Sequence, residues 1–239
     1  MREFSGLTGI LYALAEWIMR FFTVNILWFI FNLPTVFLVA SFFFSNPDVG
    51  IVTYLLPLVI FIPFLFVPTT IAMFATVREW ILNNDQPSIT KSYLLHLKKS
   101  YKKSMGLGLA LTGIWLIWLI DFQFFKGLNE MWGMAFLAFG CVLFIYTINL
   151  FSLSAHYQMK NTALLKNAFF ITVGKPVMSL FIFASNLALF YVSITQLQFL
   201  LPFFTGVLSA YLSFLMFYRF TLKVEEKVQA ANHKELDPK

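Results

Sequence analysis

The chain has 239 residues and a net charge of +6, and 59% of its residues are hydrophobic whereas only 12% are charged. A soluble protein of this size needs more charge to cover its surface, so this composition, with a mean hydropathy of +0.78, indicates an integral membrane protein. The single cysteine excludes a disulfide scaffold, and the 31 phenylalanines exclude low-complexity disorder.

Six stretches are long and apolar enough to cross a hydrocarbon core about 30 Å thick as helices. Each is apolar on all sides, which is typical of a membrane helix and unlike the alternating pattern of a barrel strand. We therefore predict an all-α, polytopic membrane helical bundle of one domain, with six transmembrane helices in three hairpins. The predicted spans are residues 21–44, 51–74, 105–124, 131–154, 177–195 and 199–220.

Two further segments are predicted to be amphipathic helices at the membrane interface. Residues 1–20 carry apolar side chains at helical spacing, and they lack the cleavage site of a signal peptide. A second interfacial helix is expected to begin near Ser88 in the loop before the third span. Its lysine cluster, residues 98–103, would attract anionic lipid by roughly 1 kcal/mol per charge. Residues 221–239 are predicted to form a cytoplasmic tail.

The distribution of basic residues predicts the orientation in the membrane. Sixteen of the 17 Lys and Arg residues fall on one side of the six predicted spans, and only Lys126 falls on the other. Cytoplasmic loops carry such an excess, so both termini are predicted to be cytoplasmic in a plasma membrane protein. The charges therefore mark membrane edges, and nucleic acid is not an implied partner. Trp17, Trp80 and Tyr93 on the basic side, and Trp132 near the opposite edge, are typical of an aromatic belt.

Polar residues within membrane spans are candidates for function. One hypothesis is that they line a path for a solute or a proton, and the other is that they hydrogen-bond neighbouring helices. Asp121 and His156 lie near span ends, where they can reach water, so neither is placed as a mid-membrane proton relay. The candidates are Asn25, Asn32, Asp121, Asn149, His156 and Asn186.

Proline interrupts the first two spans at Pro34, Pro57, Pro63 and Pro68. Each proline removes a backbone donor, so these helices are expected to kink or break. The hydroxyls of the threonines at positions 69 and 70 can return hydrogen bonds to the freed carbonyls. The breaks either shape the bundle or border a binding cavity.

The sequence carries no recognisable catalytic machinery. Its three histidines are far apart without a carboxylate at ligand spacing, and there is no nucleophile elbow or phosphate-binding loop. We therefore predict a protein that is not an enzyme, with no catalytic residues, no metal and no cofactor.

Two motifs resemble the YesL family of bacterial membrane proteins, also called the domain-of-unknown-function 624 family. The first motif is Asn25-Ile26-Leu27-Trp28 followed by Leu33-Pro34. The second runs from Pro68 to Phe74 and is followed by Arg78-Glu79-Trp80. Where this chain has Thr69, family members often have a smaller residue, which affects the packing expected at that break.

The resemblance implies a membrane protein encoded beside genes for carbohydrate uptake in Gram-positive bacteria. It favours an accessory or assembly subunit that binds the permease of a carbohydrate ABC importer. The alternative is a small stand-alone transporter or channel for a polar solute or ion. These hypotheses depend on one set of candidate interaction and intramembrane polar residues: Asn25, Trp28, Asn32, Pro34, Pro68, Thr70, Arg78, Trp80, Asn149, His156 and Asn186.

Overall fold

A computed structural model describes residues 7–44, 52–84 and 88–236 of the chain. Within these ranges the chain is helical and contains no β-strand, so the predicted all-α class is confirmed. Two single π-helical turns, π1 and π2, interrupt the α-helices. The elements are α1 Leu7–Phe31, α2 Leu33–Phe44, α3 Val52–Phe61, π1 Ile62–Phe66, α4 Val67–Ile81, α5 Ile89–Leu128, α6 Glu130–His156, α7 Asn161–Gly174, α8 Pro176–Thr195, π2 Leu201–Thr205 and α9 Gly206–Leu236.

Six helical stretches in the described ranges are long and apolar enough to cross a membrane, as predicted. Helices α2 and α3, α5 and α6, and α8 and α9 pack against each other, which is the pattern of three hairpins. The six stretches are Thr8–Phe31, Thr53–Ile81, Ile89–Leu128, Glu130–His156, Pro176–Thr195 and Leu201–Lys223.

The first helix begins and ends at positions other than those predicted. No helix boundary lies near residue 20, because α1 continues without interruption to Phe31. The chain breaks instead at Asn32, inside the predicted 21–44 span, and α2 follows as a shorter apolar helix. Pro34 explains the position of this break, since its nitrogen cannot donate to the carbonyl four residues earlier. Residues 1–6 of the predicted interfacial helix lie outside the described ranges.

Helix α5 joins two segments that were predicted as separate helices. It begins after Ser88, whose hydroxyl accepts a hydrogen bond from the Lys91 amide at 3.5 Å, and it continues for 40 residues. At a rise of 1.5 Å per residue, α5 is about 60 Å long, roughly twice the thickness of a hydrocarbon core. Its amino-terminal half must therefore extend beyond the membrane or lie strongly tilted in it.

Two other helical segments were missed or shortened in the prediction. Helix α7 lies within the loop predicted between the fourth and fifth spans. Helix α9 continues past the end of the predicted sixth span, so the described part of the predicted tail is helical as far as Leu236.

The core of the bundle surrounds α4. Twelve of its 15 residues are buried, so this helix is enclosed on all sides. It packs against α1, α5, α6 and α9, and its residues Ile71, Phe74 and Val77 are at most 2% exposed. The second of the two recognised motifs therefore forms the centre of the bundle.

Candidate functional site

Both π-helical turns are caused by proline. Pro63 and Pro202 each occupy the second position of their turn, where they have no amide hydrogen to donate. In π1 the Val67 amide donates to the Ile62 carbonyl, five residues back, which is the spacing of a π-helix. Such widened turns leave backbone groups without helical partners, and in a membrane those groups must find partners within the protein.

Asn25 supplies the missing partners at π2. Its Nδ2 donates to the Pro202 carbonyl at 2.7 Å, and its Oδ1 accepts a hydrogen bond from the Val207 amide at 2.9 Å. The side chain is completely buried. Gly206 makes this approach possible, because a Cβ there would lie 3.0 Å from Asn25 Oδ1. One amide of α1 thus bridges the break at the start of α9.

Trp28 on α1 and Asn32, the residue directly after α1, both contact the start of α4. Trp28 Nε1 donates to Thr70 Oγ1 at 3.0 Å, and Asn32 Nδ2 donates to Thr69 Oγ1 at 2.8 Å. Thr69 and Thr70 in turn donate to the carbonyls of Leu65 and Phe66, each at 2.6 Å. The threonine hydroxyls therefore bond carbonyls of the preceding turn, but not the carbonyl freed by Pro68, which was their predicted acceptor.

The carbonyl deprived of a donor by Pro68 is that of Phe64, four residues earlier. The hydroxyl of Tyr101, on α5, donates to this carbonyl at 3.1 Å. The Phe64 carbonyl therefore receives its hydrogen bond from α5. The local sequence did not indicate this contact. Pro34, the other proline of the recognised motifs, lies exposed at the break between α1 and α2.

The remaining intramembrane asparagines join pairs of helices. Asn186 on α8 donates to Ser213 Oγ at 2.9 Å and accepts a short hydrogen bond from the Ser209 hydroxyl, both on α9. Asn149 on α6 donates to Thr172 Oγ1 on α7 at 3.0 Å. The Oδ1 atoms of Asn32 and Asn149 are buried without a hydrogen-bond partner. Hydrogen bonding between helices is thus the observed role of all four asparagines.

Arg78 and His156 meet where α4 and α6 end. Arg78 Nε donates to His156 Nδ1 at 3.3 Å, and the His156 ring packs 6.0 Å from the Phe214 ring of α9. These contacts lie at the end of the bundle that carries most of the basic residues, which we call the basic end. Asp121 lies towards the opposite end of α5.

Two of the four residues predicted for an aromatic belt lie inside the bundle. Trp80 is 6% exposed and packs against Trp17 and Phe21, while Tyr93 is fully buried and donates to the Thr69 carbonyl at 3.2 Å. Both side chains are buried within the bundle, and for this reason they do not face lipid head groups.

A polar cleft of about 150 Å³ lies at the basic end, between α1, α4 and α5. Glu79 accepts a hydrogen bond from Ser92 Oγ at 2.5 Å, and His96 Nε2 lies 2.9 Å from its other oxygen, at an angle unsuited to a hydrogen bond. An ion pair between Arg20 and Glu16, at 2.6 Å, forms part of the same cleft. Sequence reasoning missed this cluster, because only the fold brings α1, α4 and α5 together.

A second cavity, of about 310 Å³, lies between α6, α7 and α9. Neither cavity is lined by Asn25, Asn32, Asn149 or Asn186. In the described ranges, no group of three His, Cys, Asp or Glu side chains is placed to hold a metal ion.

Known relatives resemble this chain over most of its length. The profile of the family described as "Protein of unknown function, DUF624" matches residues 21–122. The uncharacterised proteins YteU and YesL of Bacillus subtilis (strain 168) are 27% and 24% identical to the chain. These alignments cover 94% and 90% of the chain, and 90% and 92% of the relatives. No solved structure matches the chain.

Proposed function

Because this chain belongs to the DUF624 family of YesL-like proteins, whose matched relatives are uncharacterised, we propose its role from the structure and from the sequence resemblance. We propose a non-enzymatic accessory or assembly subunit of a carbohydrate ABC importer in the plasma membrane. The observation that carries this proposal is that the intramembrane asparagines form hydrogen bonds between helices of the chain itself.

That observation disfavours the stand-alone transporter. A polar solute path needs groups that are available to water or solute along the membrane. Asn25 instead has both amide ends paired with backbone, and Asn186 is paired with two serines of α9. Asn32 donates both to Thr69 and to the Trp28 carbonyl of α1. The three asparagines therefore stabilise separate helix contacts rather than converging on one of the described cavities.

The amino-terminal half of α5 offers a surface for a partner. Leu94, Leu95 and Tyr101 are exposed there, at 41%, 61% and 37%, beside the exposed lysines of the predicted cluster. Apolar side chains mixed with cations suit a surface that meets another protein at the membrane edge. The choice of a permease of carbohydrate uptake as partner rests on the family resemblance.

Arg78 can contribute to the same interface. Its Nε is bonded to His156, and no carboxylate of the described ranges pairs with its guanidinium. A planar guanidinium can bind a carboxylate through two parallel hydrogen bonds, which lysine cannot reproduce.

The proposed orientation places both termini in the cytoplasm, and cysteine labelling tests it. In a C141S background, a cysteine at Gly127 should react with an impermeant maleimide on intact cells. A cysteine at Lys99 should react only after permeabilisation, because the basic end faces inward. Labelling of Lys99→Cys but not of Gly127→Cys on intact cells would reverse the proposed topology.

Photo-crosslinking in native membranes tests the proposed partner. A photoreactive residue at Lys99 should form an adduct with a permease subunit, whereas one at Gly127, exposed at the opposite end, should not. Arg78→Lys should reduce the Lys99 adduct while the amount of inserted protein stays the same. Adducts with lipid alone, or sugar transport by the purified chain in liposomes, would contradict the accessory role.

A further inference from the structure

The second cavity, of about 310 Å³, opens at the basic end, where α6, the loop after it, α7 and α9 meet. It is much larger than the space of one water molecule. Its walls are mostly apolar, with an amide and an ammonium group among them. The lining residues are Leu153, Tyr157, Met159, Asn167, Phe170, Ile171, Lys175 and Phe220.

Two lysines stand over the aromatic walls of this cavity. Lys175 Nζ lies 5.1 Å from the ring centre of Phe220, and Lys166 Nζ lies 5.8 Å from that of Phe170. Both contacts are cation–π attractions to rings that line the cavity, and Lys175 lines the cavity itself. Neither lysine forms an ion pair with a carboxylate of the described ranges.

The residues that line this cavity lie in a stretch of the sequence without acidic side chains. Residues 131–224 contain no Asp or Glu at all, although they include five lysines and arginines. Along residues 131–224, which supply the whole lining of the cavity, an anion therefore meets attraction without opposing carboxylates. The charge complementarity at the cavity favours an anionic ligand.

Helix α7 indicates where that ligand comes from. Phe169, Phe170 and Val173 are 57%, 57% and 60% exposed, which is unfavourable in water but suitable in contact with lipid. Phe170 belongs both to this exposed apolar surface and to the cavity wall. The cavity is therefore continuous with a surface suited to the bilayer, and an acyl chain can enter it laterally.

We propose that this cavity binds an anionic phospholipid, with an acyl chain between α6, α7 and α9 and the head-group phosphate on Lys175 and Lys166. The phosphate replaces water as the partner of the two ammonium groups, and the acyl chain covers the apolar walls. This site does not depend on the proposed accessory role.

Native mass spectrometry of the delipidated full-length protein tests the site. Dioleoyl phosphatidylglycerol should be retained more strongly than dioleoyl phosphatidylcholine. Lys175→Gln should weaken retention of phosphatidylglycerol roughly fivefold, the effect of about 1 kcal/mol per lysine. Retention of phosphatidylcholine should not change.

A matched control comes from the opposite end of the bundle. Lys126 also stands over a phenylalanine, 5.9 Å from the ring of Phe122, so Lys126→Gln removes the same kind of contact away from the cavity. It should leave retention of phosphatidylglycerol unchanged. Ile171→Trp should fill the cavity and reduce retention without altering either lysine, with thermal unfolding checked for each variant.

Three results would overturn the proposal. Equal retention of the two lipids by the unmodified chain would show that charge is not recognised. Equal losses in the Lys175 and Lys126 variants would place the lipid elsewhere. Displacement of phosphatidylglycerol by millimolar inorganic phosphate would indicate a site for free phosphate rather than for a lipid.

Discussion

Replacing Asn25 by Leu should strongly destabilise the folded protein. Leucine fills a similar volume but cannot form hydrogen bonds, so the Pro202 carbonyl and the Val207 amide would both lose their partner. Each buried, unpaired backbone group costs about 1–3 kcal/mol, and the two together should cost roughly 2–6 kcal/mol. Thermal unfolding in detergent, followed by the fraction of monodisperse protein, measures the loss.

Asn149→Leu is the matched control for this prediction. Asn149 is also completely buried, but its amide contacts only a side chain, Thr172, and its Oδ1 has no partner. Thr172 keeps its own hydrogen bond to the Ala168 carbonyl after the change, so the expected cost is small. Equal unfolding temperatures for the two variants would show that Asn25 is not needed to bridge the break at π2.

The six-helix architecture could be predicted because its cause is local. Backbone groups in hydrocarbon must pair within their own segment, so each run of about 20 apolar residues has one available structure. The helix start near Ser88 is local as well, because its hydroxyl binds the amide three residues later. Such features depend on near neighbours and on the solvent, and both can be read from the sequence.

Helix boundaries were harder to predict where the apolar pattern continues past the membrane edge. Residues 1–20 show the spacing of an amphipathic helix, but nothing at residue 20 stops that helix from continuing into the span. Helix α7 carries exposed apolar residues as well as buried Leu164 and Ala168, so its pattern gives no clear polar face. Lys166 and two asparagines within α7, and the lysines that flank it on both sides, made the segment resemble a loop.

The candidate site could be predicted only as a set of residues. Asn25 and Val207 are separated by 182 positions, and Arg78 and His156 by 78, so no local signal links them. The sequence indicated that prolines would free backbone carbonyls, and it predicted that nearby threonine hydroxyls would donate hydrogen bonds to those carbonyls. It could not show that an asparagine of α1 bridges a proline break in the last span, because that pairing depends on how α1 packs against π2.

A single methyl group added at Gly108 should also destabilise the bundle. A Cβ at this position of α5 would lie 2.7 Å from Pro63 Cα and 2.9 Å from the Pro63 carbonyl oxygen. Both are backbone atoms of π1 and cannot rotate away, so α5 would have to move outward. Overpacking of this kind costs about 1–3 kcal/mol, and Gly108→Ala should lower the unfolding temperature accordingly.

Gly113→Ala separates this steric effect from the helix propensity of alanine. Gly113 lies on the same helix, and a Cβ there would meet no atom within 4 Å. Since alanine favours a helix over glycine by roughly 0.5–1 kcal/mol, this variant should unfold at the same temperature as the unmodified protein or higher. If Gly108→Ala behaves like Gly113→Ala, α5 does not pack closely on π1. Opposite shifts of the unfolding temperature for the two variants would establish that α5, the longest helix of the described chain, packs closely on the proline-induced turn π1.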